Sequence, residues 1–487
     1  MNTFKRKSLH AAVLAGLGAV GMAGTANAVH VNPDGLGSVL IYPYYTVRAD
    51  GGGASTAYYD NYISIVNTTA STKAVKVRFL EGKNSREVLD FNLFLSPFDV
   101  WTGAAVRTAD GGGVISVDKS CVVPNALFAE KNPANITSGS LNSFKNFAYV
   151  SLSDGGGTTL DRTREGYLEV IEMGDVTNTT ATAAAKHNNA NGTPANCAYF
   201  ETNDPELVMT PQLTRPTGGL YGAMSLINVA AGTDYSYDSI ALDQWSDTVR
   251  YTRAGALGPD IGQASPAVSN VFTGGGVVSS TWPNAVDAVS ATITHSQVFN
   301  EWMLETNTSS GTDWIVTFPT KKLYVNVGTG AATAPFNANF NNGKSCDIFQ
   351  MAFYNREELT TTTPVTVLPS PEPTILPTNN EFCYEANVLT FANSNMLGST
   401  NLYNIDPTGV GRTGHAILRF NQAVQVVGSG LRAPTATTIN GAAATVRYYG
   451  LPVIGIAIQD FANGNVGGVA SNYGGAFAHK YLRTIAP

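Results

Sequence analysis

Carboxylates, histidines, cysteines and clustered tyrosines are the residues of this sequence that could do chemistry. A glycosidase needs two carboxyl groups about 5–10 Å apart across a sugar-sized cleft. Glu169 and Glu172 sit in a run that reads as a strand, and their odd spacing sends them to opposite faces. Glu301 and Glu305 would share a face, but beside Trp302 they fit the wet side of a strand equally well. The histidines beyond the leader are His30, His187, His295, His415 and His479. None lies in H-E-x-x-H, and no two have metal-ligand spacing. There is no G-x-S-x-G nucleophile elbow. The run from Gly409 to Gly414 matches G-x-G-x-x-G, but it follows an Asp406-Pro407 turn and precedes a strand. A dinucleotide site needs a strand before it and a helix after it. Gly343-Lys344-Ser345 ends like a P-loop, with Ala338 where the earlier glycine belongs. These residues predict neither an enzyme nor a resident cofactor.

Two features remain. Tyr42, Tyr44, Tyr45, Tyr58, Tyr59 and Tyr62 crowd into a short stretch. A tyrosine offers an apolar face and a polar tip, which suits a protein interface or sugar stacking. Strand alternation would place half of them in a core. The tetrapeptide Asp-Gly-Gly-Gly begins at Asp50, Asp110 and Asp154, each time between expected strands. Loop carbonyls with a carboxylate suit Ca²⁺. The spacing matches no EF-hand loop or calcium-binding nonapeptide, so a glycine turn is the simpler reading and calcium stays a weak candidate.

Strands must position these groups. Lys76 and Arg78 alternate with Val75, Val77 and Phe79, as in a strand with one wet face. Residues 113–117, 148–152, 167–171, 314–318 and 322–326 read similarly. Residues 63–66 and 224–229 are more apolar and read as central strands, and 453–458 as a buried one. Gly, Asn, Asp and Pro punctuate the runs at short intervals. Helical signals are short, at 124–130 and 242–249. The fold class is therefore all-β, two sandwiches of immunoglobulin or jelly-roll type with short helices in loops. The expected division is a leader at 1–28, a sandwich at 29–176, a low-complexity connection at 177–215, and a larger β domain at 216–487. A Pro-rich excursion at 360–380 interrupts the last. Lys83, Arg86 and Glu87 read as a charged hairpin tip, either a soluble turn or a contact to a neighbouring subunit.

Composition supplies the address. Lys5-Arg6-Lys7, an apolar stretch from Leu9 to about Ala23, and Ala26-Asn27-Ala28 together form a secretory signal peptide with a cleavage site, so the mature chain begins at Val29. No later stretch is long and apolar enough to span a membrane as a helix. Only 13% of the 487 residues are charged, and the net charge of -7 argues against nucleic acid, which asks for a basic face. Cys121, Cys197, Cys346 and Cys383 fit an oxidising compartment. Of three possible connectivities, pairing of sequence neighbours is the expectation.

Several stretches resemble a group of secreted proteobacterial proteins loosely labelled cell-surface proteins. They are Val31-Asn32-Pro33-Asp34-Gly35-Leu36-Gly37 with Tyr42-Pro43-Tyr44-Tyr45, residues 79–93 and 95–101, residues 313–321, and Ser471-Asn472-Tyr473-Gly474-Gly475. The resemblance implies a Gram-negative secreted protein and no particular activity. Export, low charge and the missing catalytic constellation point to a structural or interaction protein of the cell surface or extracellular space, with the periplasm as alternative. Its partners would be copies of itself, as in a surface layer, sheath or matrix, or other cell-surface components. An adhesin or carbohydrate-binding module is the second reading and a secreted hydrolase the third. If the tyrosine-rich segment is a strand donated to a neighbour, deleting residues 29–45 should leave folded monomers.

Overall fold

The computed structural model describes residues 27–50, 57–131, 137–152, 154–188, 190–328, 332–358, 380–420, 430–466 and 469–487. Residues 1–26 of the expected leader and most of the Pro-rich excursion lie outside these residues. The fold is all-β, built from antiparallel sheets with short helices in the connections.

Two sheets form the first sandwich. One runs in the order His30–Val31, Ile240–Asp243, Val39–Thr46, Glu165–Val176, Thr72–Glu81, Glu87–Leu95, Cys121–Val123, with Leu213–Thr214 also pairing with Glu165–Val176. The other runs Thr233–Asp238, Leu220–Asn228, Asp60–Asn67, Val100–Arg107, Gly112–Ile115, Leu141–Ser143. Tyr42, Val77 and Phe79 from the first sheet pack with Ile63, Trp101 and Met224 from the second. Strands from 220 to 243 thus return to this sandwich, and the chain leaves it only after Asp243. The expected boundary at 216 moves accordingly, because strand pairing joins partners that local pattern does not.

The second unit pairs two five-stranded sheets. One contains Asp347–Asn355, Thr413–Phe420 and Gln297–Met303; the other contains Ala386–Phe391, Gly311–Thr317, Ile456–Val466 and Val469–Ala478. The segment between the sandwiches carries a hairpin, Val268–Thr273 with Gly276–Thr281, and the helix Ala285–Ile293, which is buried from Asp287 to Ile293. The units share apolar cores. Val39, Ile41 and Tyr167 cluster with Trp302, Trp314 and Phe318, and Ile315, Val388 and Ile458 join the first sandwich's own core. Val29, the expected first mature residue, is fully buried and bridges to Ser269.

The tyrosine-rich segment is a central strand. All eight residues of Val39–Thr46 are buried between Glu165–Val176 and Ile240–Asp243. Pro43 lacks an N–H for a ladder. The register with the neighbouring strand shifts where Pro43 falls, from Tyr45 opposite Gly166 to Tyr42 opposite Leu168. Gly222 lets the Tyr42 ring through: a Cβ there would lie 1.8 Å from the Tyr42 hydroxyl, which donates to Ser64 O at 2.7 Å.

Several local expectations are corrected. Thr72–Glu81 has no wet face; all ten residues are buried. The segment bearing Arg253 and Leu257 supplies carbonyls to Lys76 and Arg78. Asp60–Asn67 and Leu220–Asn228, which hold the segments read as central strands, do lie inside the six-stranded sheet, and each leaves one side open. Residues 147–150 form a helical turn, and 322–326 hold a 3-10 turn rather than a strand. Residues 240–243 are a strand rather than the start of a helix.

Two histidines are buried in the second unit. His479 Nε2 lies 3.0 Å from Ile315 O and Nδ1 lies 3.0 Å from Asn300 Nδ2, which fits a neutral ring protonated on Nε2. Burial pushes its pKa down to about 4. His295 stacks on Tyr481 at 4.0 Å, and burial, then Arg483, push it well below its ordinary value. Between pH about 6.5 and about 4 the unfolded chain takes up protons that the folded chain refuses. Stability present above pH about 6.5 is therefore lost as pH falls, at up to about 1.4 kcal/mol per pH unit for each histidine. The urea midpoint is expected to drop between pH 7 and pH 5, and His295→Phe, which keeps the stacking, to flatten that slope. An unchanged slope would remove His295 from the account.

Candidate binding surfaces

The charged residues of the first sandwich form a buried lattice. Lys73 meets Glu172 and Asp175 at 2.8 Å each. Arg78 meets Glu87 at 2.6 Å and Glu169 at 2.7 Å, and Lys76 meets Asp90 at 2.9 Å. The strand register sets Arg78 directly opposite Glu169 and Asp90. Replacing such pairs by apolar residues is often neutral for stability, whereas breaking one is costly. Glu169 and Glu172, the hydrolase candidates, are thus fully buried and ion-paired. Glu301 lies across from His415 in the neighbouring strand and lines a cleft of about 530 Å³, but no second carboxylate lines that cleft. A two-carboxylate site is not assembled there.

The hairpin tip is no solvated turn. Asn84 and Ser85 are buried, and Glu81 accepts the N–H groups of Lys83, Asn84 and Arg86. The other contacts of the tip lie within the chain: Lys83 Nζ donates to Gly156 O, and Glu385 N donates to Gly82 O.

The three Asp-Gly-Gly-Gly aspartates have separate fates. Asp154 is buried, and its carboxylate accepts from both Arg162 Nη atoms at 2.8 and 3.0 Å, from Asn84 and from the Gly156 amide. Burial alone would raise its pKa; Arg162, Gly156 and Asn84 outweigh that and hold it below the usual range. A carboxylate so occupied by a guanidinium is no calcium ligand. Asp110 is exposed in the turn before Gly112–Ile115, and Asp50 precedes a stretch, 51–56, outside the described residues. Among the described residues the only cluster of metal-ligand type is Cys346, Glu381 and Cys383, whose cysteines are bonded to each other.

The cysteines form two disulfides, Cys121–Cys197 and Cys346–Cys383. The first ties the helix Ala198–Asn203 to the edge of the larger sheet, and the second closes the base of the Pro-rich excursion. Both fit an oxidising, extracytoplasmic compartment. Among the described residues no helix is long and apolar enough to cross a membrane.

The six tyrosines divide. Tyr42, Tyr44, Tyr45 and Tyr59 are fully buried and belong to the core, so they offer no ligand face. Tyr58 is half-buried beneath the Arg107 guanidinium, 4.0 Å from the ring centroid. Tyr62 alone faces outward, 46% exposed. It sits on the outer face of the six-stranded sheet, where the cross-strand register sets it between Ser225 and Ala104. Four residues along, Tyr221, Val66 and Val100 form another row, with Phe98 exposed in the adjoining turn. Sequence reading missed Tyr221; its signal was the alternation of Leu220, Gly222 and Met224 with Tyr221, Ala223 and Ser225. The outward positions of these strands also carry Asp60, Asp234 and Asp238, and no lysine or arginine.

No protein-family model, curated protein or solved structure matches this chain.

Proposed function

We propose that the chain is a secreted cell-surface protein of the structural or interaction class, and that copies of it associate through the outer face of the six-stranded sheet. The carrying observation is that face, which stays open around Tyr62, Tyr221, Val66 and Val100. An open apolar patch of this kind marks an interaction site. A second copy turned by a two-fold axis presents the same rows and covers it. The leader and two disulfides support export. The engagement of Glu169 and Glu172 by arginine and lysine speaks against hydrolysis at that pair.

The face carries acids without cations, so two copies repel at low ionic strength. Salt shortens the reach of that repulsion. Light scattering of residues 29–487 is therefore expected to show a shift from monomer to dimer as ionic strength rises or millimolar Ca²⁺ is added, because a two-fold interface closes on itself. The double change Tyr62→Arg and Tyr221→Arg should give monomers throughout. Monomers of the unchanged protein under every condition would overturn self-association, and a glycan array would then test the same face for sugar stacking.

A further inference from the structure

We propose that a second site, the cleft where the two β units meet beside Arg48, binds a carboxylate-bearing saccharide of the uronic acid class. The cleft has a volume of about 390 Å³, and its walls come from Arg48, Tyr58, Arg107 and Arg164 on one side and from Asn395 and Thr400 on the other. That volume falls within the usual range for small-ligand sites.

The charges of the cleft are unevenly matched. Arg48 reaches Glu165 at 2.9 Å and Asp161 at 3.2 Å, and Arg164 reaches Asp161 at 2.7 Å. Arg107 makes no ion pair among the described residues; its guanidinium lies only over the Tyr58 ring. Three guanidinium groups thus face two carboxylates, of which Glu165 is buried behind the wall. Burial lowers the Arg164 pKa, Asp161 opposes that, and Arg107 and Arg48 add smaller contributions in the same direction as burial. Arg164 Nε and Asn395 Oδ1 are buried within the walls and have no hydrogen-bond partner among the described residues.

One excess positive charge suits one carboxylate better than a phosphate of nearly two charges. A guanidinium fork takes a carboxylate through two parallel hydrogen bonds. Thr400 is exposed at the cleft, and its hydroxyl, which donates to Glu165, keeps the capacity to accept, which a ring hydroxyl of a sugar acid can meet. The site does not depend on self-association of the sheet face.

Isothermal titration calorimetry on residues 29–487 tests this with oligogalacturonate, with neutral dextran of similar size, with polyglutamate and with sodium sulfate. Saturable binding of the uronate is expected, weakened by salt and by about tenfold or more in Arg107→Ala, with no dextran binding. Arg107→Gln keeps a planar group over Tyr58 and serves if the alanine variant does not fold. Absence of uronate binding, or binding unchanged in both Arg107 variants, would overturn the proposal. Equal affinity for sulfate or polyglutamate would overturn the saccharide assignment and leave a general anion site.

Discussion

Deleting residues 29–45 while keeping residues 1–28 leaves a chain that does not fold. The lost stretch contains nearly all of Val39–Thr46, which lies between Glu165–Val176 and Ile240–Asp243 and has no exposed residue. Val39, Leu40, Ile41, Tyr42, Tyr44 and Tyr45 are each fully buried. At about 1.5–3 kcal/mol for each large apolar side chain, their removal forfeits about 10 kcal/mol or more. That is comparable to the whole stability of an ordinary domain, about 5–15 kcal/mol. Two further ties go as well: His30 and Val31 pair with Ile240–Asp243, and Val29 bridges to Ser269. Circular dichroism and urea titration of the exported variant should show no cooperative transition. A folded monomer would instead mean that this strand is dispensable, as a donated strand would be.

The β class was legible because Val, Ile and Tyr recur with period two and turn residues follow at short intervals. The pairing of Cys121 with Cys197 and of Cys346 with Cys383 was legible too, each pair bracketing one loop-rich stretch. What misled was charge. Lys76 and Arg78 look like the wet face of a strand when read alone. Glu172 and Asp175, which pair with Lys73, and Glu169, which pairs with Arg78, stand about a hundred residues later, and only the antiparallel register of two strands brings them together, while Lys76 meets Asp90 in the next strand. Aligning the two segments in opposite directions sets Arg78 against Glu169, a signal present in the sequence but not in either strand by itself. The central place of 63–66 was legible in its apolar residues; that Tyr62, Ser64 and Val66 stay open on the outer face was not. The arginine cleft had no sequence signal at all. Arg48 follows one strand, Arg107 ends a second and Arg164 precedes a third, while the opposite wall comes from residues 395–400. No spacing connects these positions; only the docking of the two units does.

That docking makes Glu165 a charge on which the two units depend. Its carboxylate is buried and accepts from Arg48 Nε at 2.9 Å and the Tyr44 hydroxyl at 2.9 Å on its own side. From the second unit it accepts the Ser399 hydroxyl, the Thr400 amide at 3.0 Å and the Thr400 hydroxyl at 2.7 Å. Burial alone would raise its pKa. Arg48, Ser399 and Thr400 outweigh that and hold it below the ordinary range. Its contribution is therefore present at neutral pH and is lost as pH falls through its folded pKa. Glu165→Ala leaves a buried guanidinium and several buried donors without their acceptor, and such a loss costs about 3–5 kcal/mol. Glu165→Gln keeps the shape but not the charge and should fall between the alanine variant and the unchanged protein. The double variant with Arg48→Ala should cost less than the two single changes added together, because each single change strands the other partner. Urea midpoints give all four values, and limited proteolysis should find the 395–400 segment cut faster in Glu165→Ala. A cost below about 1 kcal/mol, typical of an exposed ion pair, would mean that solvent reaches these donors. Apolar contacts and neutral hydrogen bonds, such as that of the Tyr59 hydroxyl to Met396 O, would then hold the two units together without Glu165.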